Sequence, residues 1–159
     1  HGNIAIAPFG NNVSIGYTNA GTKLGLKGST SERVYVVANK LSAVTNHQIN
    51  IDNGNVHYFS TTEDAVISDV DITSNNTLNA DLAVGDSITV VAIIKPAADA
   101  DKITGIEIDG TAVTIQWLGA TAPDGGDNTS YDVYTFYILK DGDASFIPLC
   151  NKVNFKAPS

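Results

Sequence analysis

The chain has little of the chemistry on which most enzymes and nucleic-acid-binding proteins depend. Its 159 residues include one cysteine, one tryptophan, no methionine and only 9 lysines and arginines against 17 acidic residues, which gives a net charge of −8. Because so acidic a chain has few cations to displace the counterions of a polyanion, its composition argues against a nucleic-acid partner. Apolar runs are too short to cross a bilayer. We therefore expect neither a nucleic acid nor a membrane among its partners.

The reactive groups that are present favour structural roles. Cys150 cannot form an intrachain disulfide, and it lies in the apolar segment Phe146–Cys150. We therefore expect a buried, unreactive thiol. The chain begins with His1 and contains no methionine, so we expect a mature product or a fragment of a longer protein.

Most of the chain alternates apolar and polar residues, the period typical of β-strands. Strands are predicted at Arg33–Ala38, Ala65–Ile72, around Leu78, and at Ser87–Ile94. About eight to ten short strands separated by close turn signals predict an all-β fold, a single β-sandwich or jelly-roll-like domain.

Three turn signals predict how neighbouring strands connect. Asn53-Gly54 favours a type I′ turn, so Ile49–Phe59 is predicted to be a hairpin. Asp109-Gly110 is predicted to join the strands on either side of it in a second hairpin. The Asp141–Asp143 turn predicts a third near the end of the chain.

The first thirty residues differ from the rest. Glycines interrupt each of their short apolar runs, so this part of the chain has little surface to bury alone. We predict an extended Gly-rich arm over residues 1–30, packed on the body or on a neighbouring chain, followed by a β-sandwich domain over residues 31–159.

One strand carries aromatic residues on both of its faces. Tyr131, Val133, Tyr137 and Leu139 share one side, whereas Tyr134, Phe136 and Ile138 share the other. A sheet with one hydrated face would not need both. Either the strand is central in a sheet covered on both sides, or one of its faces is an oligomer interface.

Spaced segments between Asn46 and Phe155 form an ordered series: Ile51–Phe59, Thr77–Asn79, Val84–Val90, Ile108–Val113, Trp117–Pro123, Tyr131–Phe136 and Val153–Phe155. This series, over about two thirds of the chain, resembles a β-rich module in virion structural proteins of tailed bacteriophages, especially those of marine cyanobacteria. The module commonly has Trp-Gln-Gly-Gly where this chain has Trp117-Leu118-Gly119-Ala120, so the local turn differs.

The resemblance implies a non-enzymatic capsid-decoration or fibre protein at the virion surface, without catalytic residues or cofactor. Its implied partners are other virion proteins, capsid or tail, and further copies of itself. A homotrimer is expected by analogy with sandwich decorators and fibres. A host-surface glycan is a further partner that this role would allow.

Two other classes of function stay open at this point. Exposed aromatic rings bind sugars in lectin-like sandwiches, which makes Trp117, Tyr131, Tyr134 and Tyr137 candidate ligand or interface residues of a carbohydrate-binding module, although core packing is the preferred explanation. An N-terminal His1 with His47 or His57 resembles the copper-binding histidine brace of polysaccharide monooxygenases. A cleavage remnant explains His1 more simply, so no metal site is expected.

Two further hypotheses concern the acidic turns and the arm. Paired acids recur in turns, as at Asp124 and Asp127, where oxygen ligands for calcium or plain turn chemistry would both fit, and turn chemistry is preferred. The arm would also suit a filament subunit that donates a strand to its neighbour.

Overall fold

The computed structural model describes residues 32–126 and 128–156, and within them β-strands dominate. The arm predicted for residues 1–30 lies outside the described residues. The strands are β1 Val34–Val37, β2 Ile49–Asn50, β3 Val56–Glu63, β4 Val70–Thr73, β5 Ser87–Pro96, β6 Ile106–Ile108, β7 Thr111–Val113, β8 Gln116–Trp117, β9 Ser130–Gly142 and β10 Ser145–Lys156, and a single turn of helix, α1, spans Leu78–Asp81. The prediction of an all-β fold is confirmed.

The strands form two sheets that pack face to face. One has six strands in the order β1-β3-β5-β9-β10-β8, and the other has four in the order β2-β4-β6-β7. From β1 to β6 the chain alternates between the two sheets, so successive strands within each sheet run parallel. The later pairs β6/β7 and β9/β10 are antiparallel hairpins.

The core lies between the two sheets. On β9 the inward residues Tyr134, Phe136 and Ile138 are fully buried, and they pack with Ile72 and Ile106 of the smaller sheet in one hydrophobic cluster. Burying a side chain of this size stabilises the fold by about 1.5–3 kcal/mol. The side of β9 that carries Tyr134, Phe136 and Ile138 is therefore part of the core, which is one of the two alternatives that its alternating sequence left open.

Two of the three predicted hairpins are confirmed. At the β6–β7 turn, Asp109 and Gly110 both have positive φ, 52° and 73°, as a type I′ turn requires. The β9–β10 hairpin pairs residues over its whole length, and Ala144 takes the positive φ in its turn. Local turn chemistry decides both connections.

The hairpin predicted for Ile49–Phe59 is wrong. Its two strands belong to different sheets, with β2 pairing with β4 and β3 pairing with β1 and β5. Between them, Ile51–Asn53 forms a 3-10 turn in which the Asn50 side chain accepts a hydrogen bond from the backbone N–H of Asp52. The Asn-Gly signal here marks a crossing between sheets, because Ile49 is buried in the core beside Ile72 of β4.

The strand predicted around Leu78 is also wrong, since this residue begins α1. The Thr77 hydroxyl caps the helix by accepting from the N–H of Ala80, and the Asp109 carboxylate accepts from the N–H groups of Leu78 and Asn79. Of the strand predicted at Ala65–Ile72, only the end is regular strand. The Ser87–Ile94 prediction is confirmed by β5.

Candidate functional site: an uncharged outer sheet face

The six-stranded sheet has a second face, directed away from the core, which we call the outer face. Its members are the outward residues of β1, β3, β5, β9 and β10. Seven of its large apolar side chains are between 42% and 59% exposed: Val34, Val36, Tyr131, Tyr137, Leu149, Val153 and Phe155. Only three other large apolar side chains among the described residues are comparably exposed, so exposed apolar surface is concentrated on this face.

Strand register joins these side chains into a continuous row. Val36 pairs with Tyr58, Tyr58 with Ile93, Ile93 with Val133, and Val133 with Val153. Paired residues lie on the same side of a sheet, with side chains in contact range. The row therefore crosses five neighbouring strands without a polar interruption.

An aromatic group extends the row at one end. The rings of Tyr58 and Tyr131 meet edge to face with centroids 6.2 Å apart, and Tyr131 pairs with Phe155 on the next strand. Burial, and then the hydrogen bond with Tyr131, raise the pKa of Tyr58. Its hydroxyl therefore stays neutral at physiological pH, and this pair of rings adds no charge to the face.

Charge is almost missing from the outer face. In the described residues of the six-stranded sheet, the outward positions carry charged residues only near strand ends, at Lys95 and Asp141. The lysines of β9 and β10 point to the other side: Lys140 donates to the backbone carbonyls of Asn79 and Leu82, and Lys152 pairs with the buried Asp132. In a chain with a net charge of −8, this is a local exclusion of charge.

A groove lies at the β8 end of the same face. Its volume is about 470 Å³, within the range of small-molecule sites. The lining residues are Gln116, Trp117, Leu118, Gly119, Thr135, Tyr137, Leu149, Cys150 and Asn151. Apolar surface prevails, while the amides of Gln116 and Asn151 and the hydroxyl of Thr135 supply polar groups.

The four predicted ligand or interface residues occupy three different environments. Tyr134 is fully buried, stacks on Phe136, and its hydroxyl accepts from the N–H of Ile103. Tyr131 and Tyr137 are each 42% exposed on the outer face. Trp117 is half-buried against the core and lines the groove together with Tyr137. The structure thus brings two of the four into one groove and places Tyr134 in the core.

Sequence reasoning missed the contribution of β10 and β1 to this face. Leu149, Val153 and Phe155 alternate along β10 with residues that point inward. Their period of two was a usable signal, but the intervening Lys152 and Asn154 look like solvent-facing residues. Both bind the buried Asp132, with Lys152 Nζ at 3.2 Å and Asn154 Nδ2 at 2.7 Å, although Asn154 itself is exposed.

The histidines considered as copper ligands have structural partners. His57 is buried between the rings of Tyr35 and Phe59, and its Nε2 donates to the carbonyl of Gly54 at 2.9 Å. Burial lowers the pKa of His57, so its ring is neutral. His47 Nδ1 lies 2.7 Å from a carboxylate oxygen of Asp69. His1 lies outside the described residues.

The remaining candidates for chemistry also have structural environments. Cys150 is buried, and burial raises the pKa of its thiol to about 12, as suits an unreactive group. Of the acidic pair Asp124 and Asp127, the latter lies outside the described residues, and the former is almost fully exposed 3.4 Å from Lys102 Nζ. The part of the chain that the structure describes contains no group of three or more potential metal ligands.

No protein-family model matches the sequence, and comparisons with curated proteins and with solved structures also give no match. In residues 32–126 and 128–156, no helix has the length and apolar character needed to cross a membrane.

Proposed function

We propose that the chain is a non-enzymatic structural protein of a tailed-phage virion surface, of the capsid-decoration or fibre type, that works through protein–protein assembly. The observation that supports an assembly role is the outer face, a row of apolar side chains across five strands without charge. Patches of this kind on folded proteins mark interaction sites more often than plain solvent-exposed surface. The virion context comes from the ordered sequence segments between Asn46 and Phe155.

The proposal predicts that the chain is present on mature particles of the phage that encodes it. Mass spectrometry of purified virions should detect it, and antibodies against the purified chain should label the particle surface in electron micrographs. A chain absent from virions but abundant in the lysate of the infected host would contradict a virion role.

A second candidate function is glycan binding at the groove beside Tyr137. An exposed aromatic ring flanked by the amides of Gln116 and Asn151 offers the stacking surface and hydrogen-bonding groups that sugars use. If the groove binds a glycan, Tyr137→Ala should weaken binding on a glycan array at least about tenfold, as expected when a stacked ring is lost. Tyr131→Ala, on the same strand and equally exposed but outside the groove, is the matched control, and an equal loss in both variants would contradict the groove as the site.

A further inference from the structure

We infer that the outer face is a self-association surface and that its occupant is the same face of a second copy of this chain. The inference deepens the proposed function and rests on it for its biological setting. It names the partner of the surface, which the assembly role alone leaves open.

The outer face exposes enough apolar area for a specific interface. The seven exposed apolar side chains of the outer face leave about 600 Å² of surface accessible on each copy. This area is at the upper end of the range found for the largest apolar patch on a typical monomer. Two such faces in contact bury about 1,200 Å², the lower limit of a standard specific interface. The partly buried Val56, Val91 and Ile93 on the central strands add to this area.

The outer face also lacks the charges that would keep two copies apart. Two copies of an acidic chain repel each other wherever their carboxylates meet. The outer face avoids this cost, because its central row from Val36 to Val153 is uncharged and the cation and anion that the described residues place on it, Lys95 and Asp141, lie near strand ends. A basic partner would find no carboxylates here to pair with. A neutral, apolar partner fits, and a second copy presents such a surface.

The shape and composition of the outer face also suit an interface. The face is a continuous part of a paired sheet, with side chains fixed by strands up to 13 residues long. Tyr131, Tyr137 and Phe155 give it exposed aromatic rings, the residues that most often anchor interfaces. Packing this face against the same face of another copy about a two-fold axis sets apolar surface against apolar surface.

The experiment compares the unmodified full-length chain with three single substitutions by native mass spectrometry and sedimentation velocity. Val36→Glu and Val153→Glu each place a carboxylate in the central row. Val84→Glu is the matched control, because Val84 is 63% exposed in the turn before β5, outside the outer face. All three sites are exposed, so the fold should tolerate the changes, and circular dichroism checks this directly.

We expect the unmodified chain and Val84→Glu to form the same oligomer. Val36→Glu and Val153→Glu should raise its dissociation constant at least about a hundredfold, because association would bury an unpaired charge on each copy. Native masses give the number of copies, and a face packed on the same face of one other copy gives two, not the three that the sequence resemblance implies.

Three outcomes would overturn the inference: a monomer at all concentrations for the unmodified chain, an oligomer unaffected by both face substitutions, or equal loss in Val84→Glu. The particle experiment separates this inference from the proposed function. A monomer found on virions would refute self-association and keep the virion role. An oligomer that is absent from virions would refute the virion role and keep self-association.

Discussion

Tyr134→Ala is expected to lower the free energy of unfolding by about 3–5 kcal/mol, the range measured when large aromatic side chains are removed from a core. Tyr134 is fully buried at the middle of β9 and stacks on Phe136 with ring centroids 6.2 Å apart. Alanine would leave a cavity between the sheets and remove the hydroxyl that accepts from the Ile103 N–H. Chemical denaturation followed by tryptophan fluorescence measures the loss.

Two further substitutions separate packing from hydrogen bonding. Tyr134→Phe keeps the ring and removes only the hydroxyl, so it should cost about 1 kcal/mol. Tyr137→Ala, three residues further along the same strand but on the outer face, should cost clearly less than Tyr134→Ala, because its side chain is 42% exposed. If Tyr137→Ala were as destabilising as Tyr134→Ala, the assignment of inner and outer faces would be wrong.

Asp132→Ala is expected to destabilise the fold by about 3–5 kcal/mol, because it leaves a buried cation without its partner. The Asp132 carboxylate is fully buried, lies 3.2 Å from Lys152 Nζ, and accepts hydrogen bonds from Asn154 Nδ2 and the N–H of Gly126. It therefore holds the loop before β9 onto β10. Removing it takes a carboxylate acceptor from three donors, of which Lys152 Nζ keeps only the backbone carbonyl of Asp124.

The matched control for this prediction is Asp124→Ala. Asp124 also faces a lysine, but its side chain is almost fully exposed, so solvent screens the pair and its loss should change stability little. Denaturation midpoints of both variants, compared with the unmodified chain, give the contrast. Equal effects would mean that the Asp132–Lys152 pair is not buried in solution.

The sequence predicted best where strand pairing is local. The β9–β10 hairpin follows from two alternating runs around the Asp141–Asp143 turn, and the β6–β7 hairpin follows from Asp109-Gly110 in the same way. Each pair is decided by residues a few positions apart, so a local pattern is sufficient evidence.

Pairing between distant strands could not be predicted in this way. The parallel neighbours β1, β3 and β5 are separated by segments that pass through the other sheet, and nothing in their sequences names the partner. Asn53-Gly54 shows the consequence, because the same dipeptide serves where a chain doubles back and where it crosses between sheets. Thr77 is the N-cap of α1, but a helix of a single turn has too few residues to show a helical period in the sequence.

The outer face could be predicted only in part from the sequence. The alternation in Tyr131–Leu139 showed that both sides of β9 are apolar, but which side meets the smaller sheet depends on tertiary packing. On β10 the sequence did not show which side chains point inward. Lys152 pairs with the buried Asp132, whereas a lysine in a strand is ordinarily expected to face solvent. Buried polar partners thus concealed the surface that carries the proposed function.

The central claim is that the outer face is an assembly surface, and thiol labelling at a single position on it tests this most directly. Val153→Cys places a thiol in the central row, and Val84→Cys places one off the face, while the native Cys150 stays slow because it is buried with a pKa raised to about 12. The account predicts that labelling at position 153 slows as protein concentration rises, while labelling at position 84 stays constant. Rates that are equally fast at both positions and independent of concentration would contradict it.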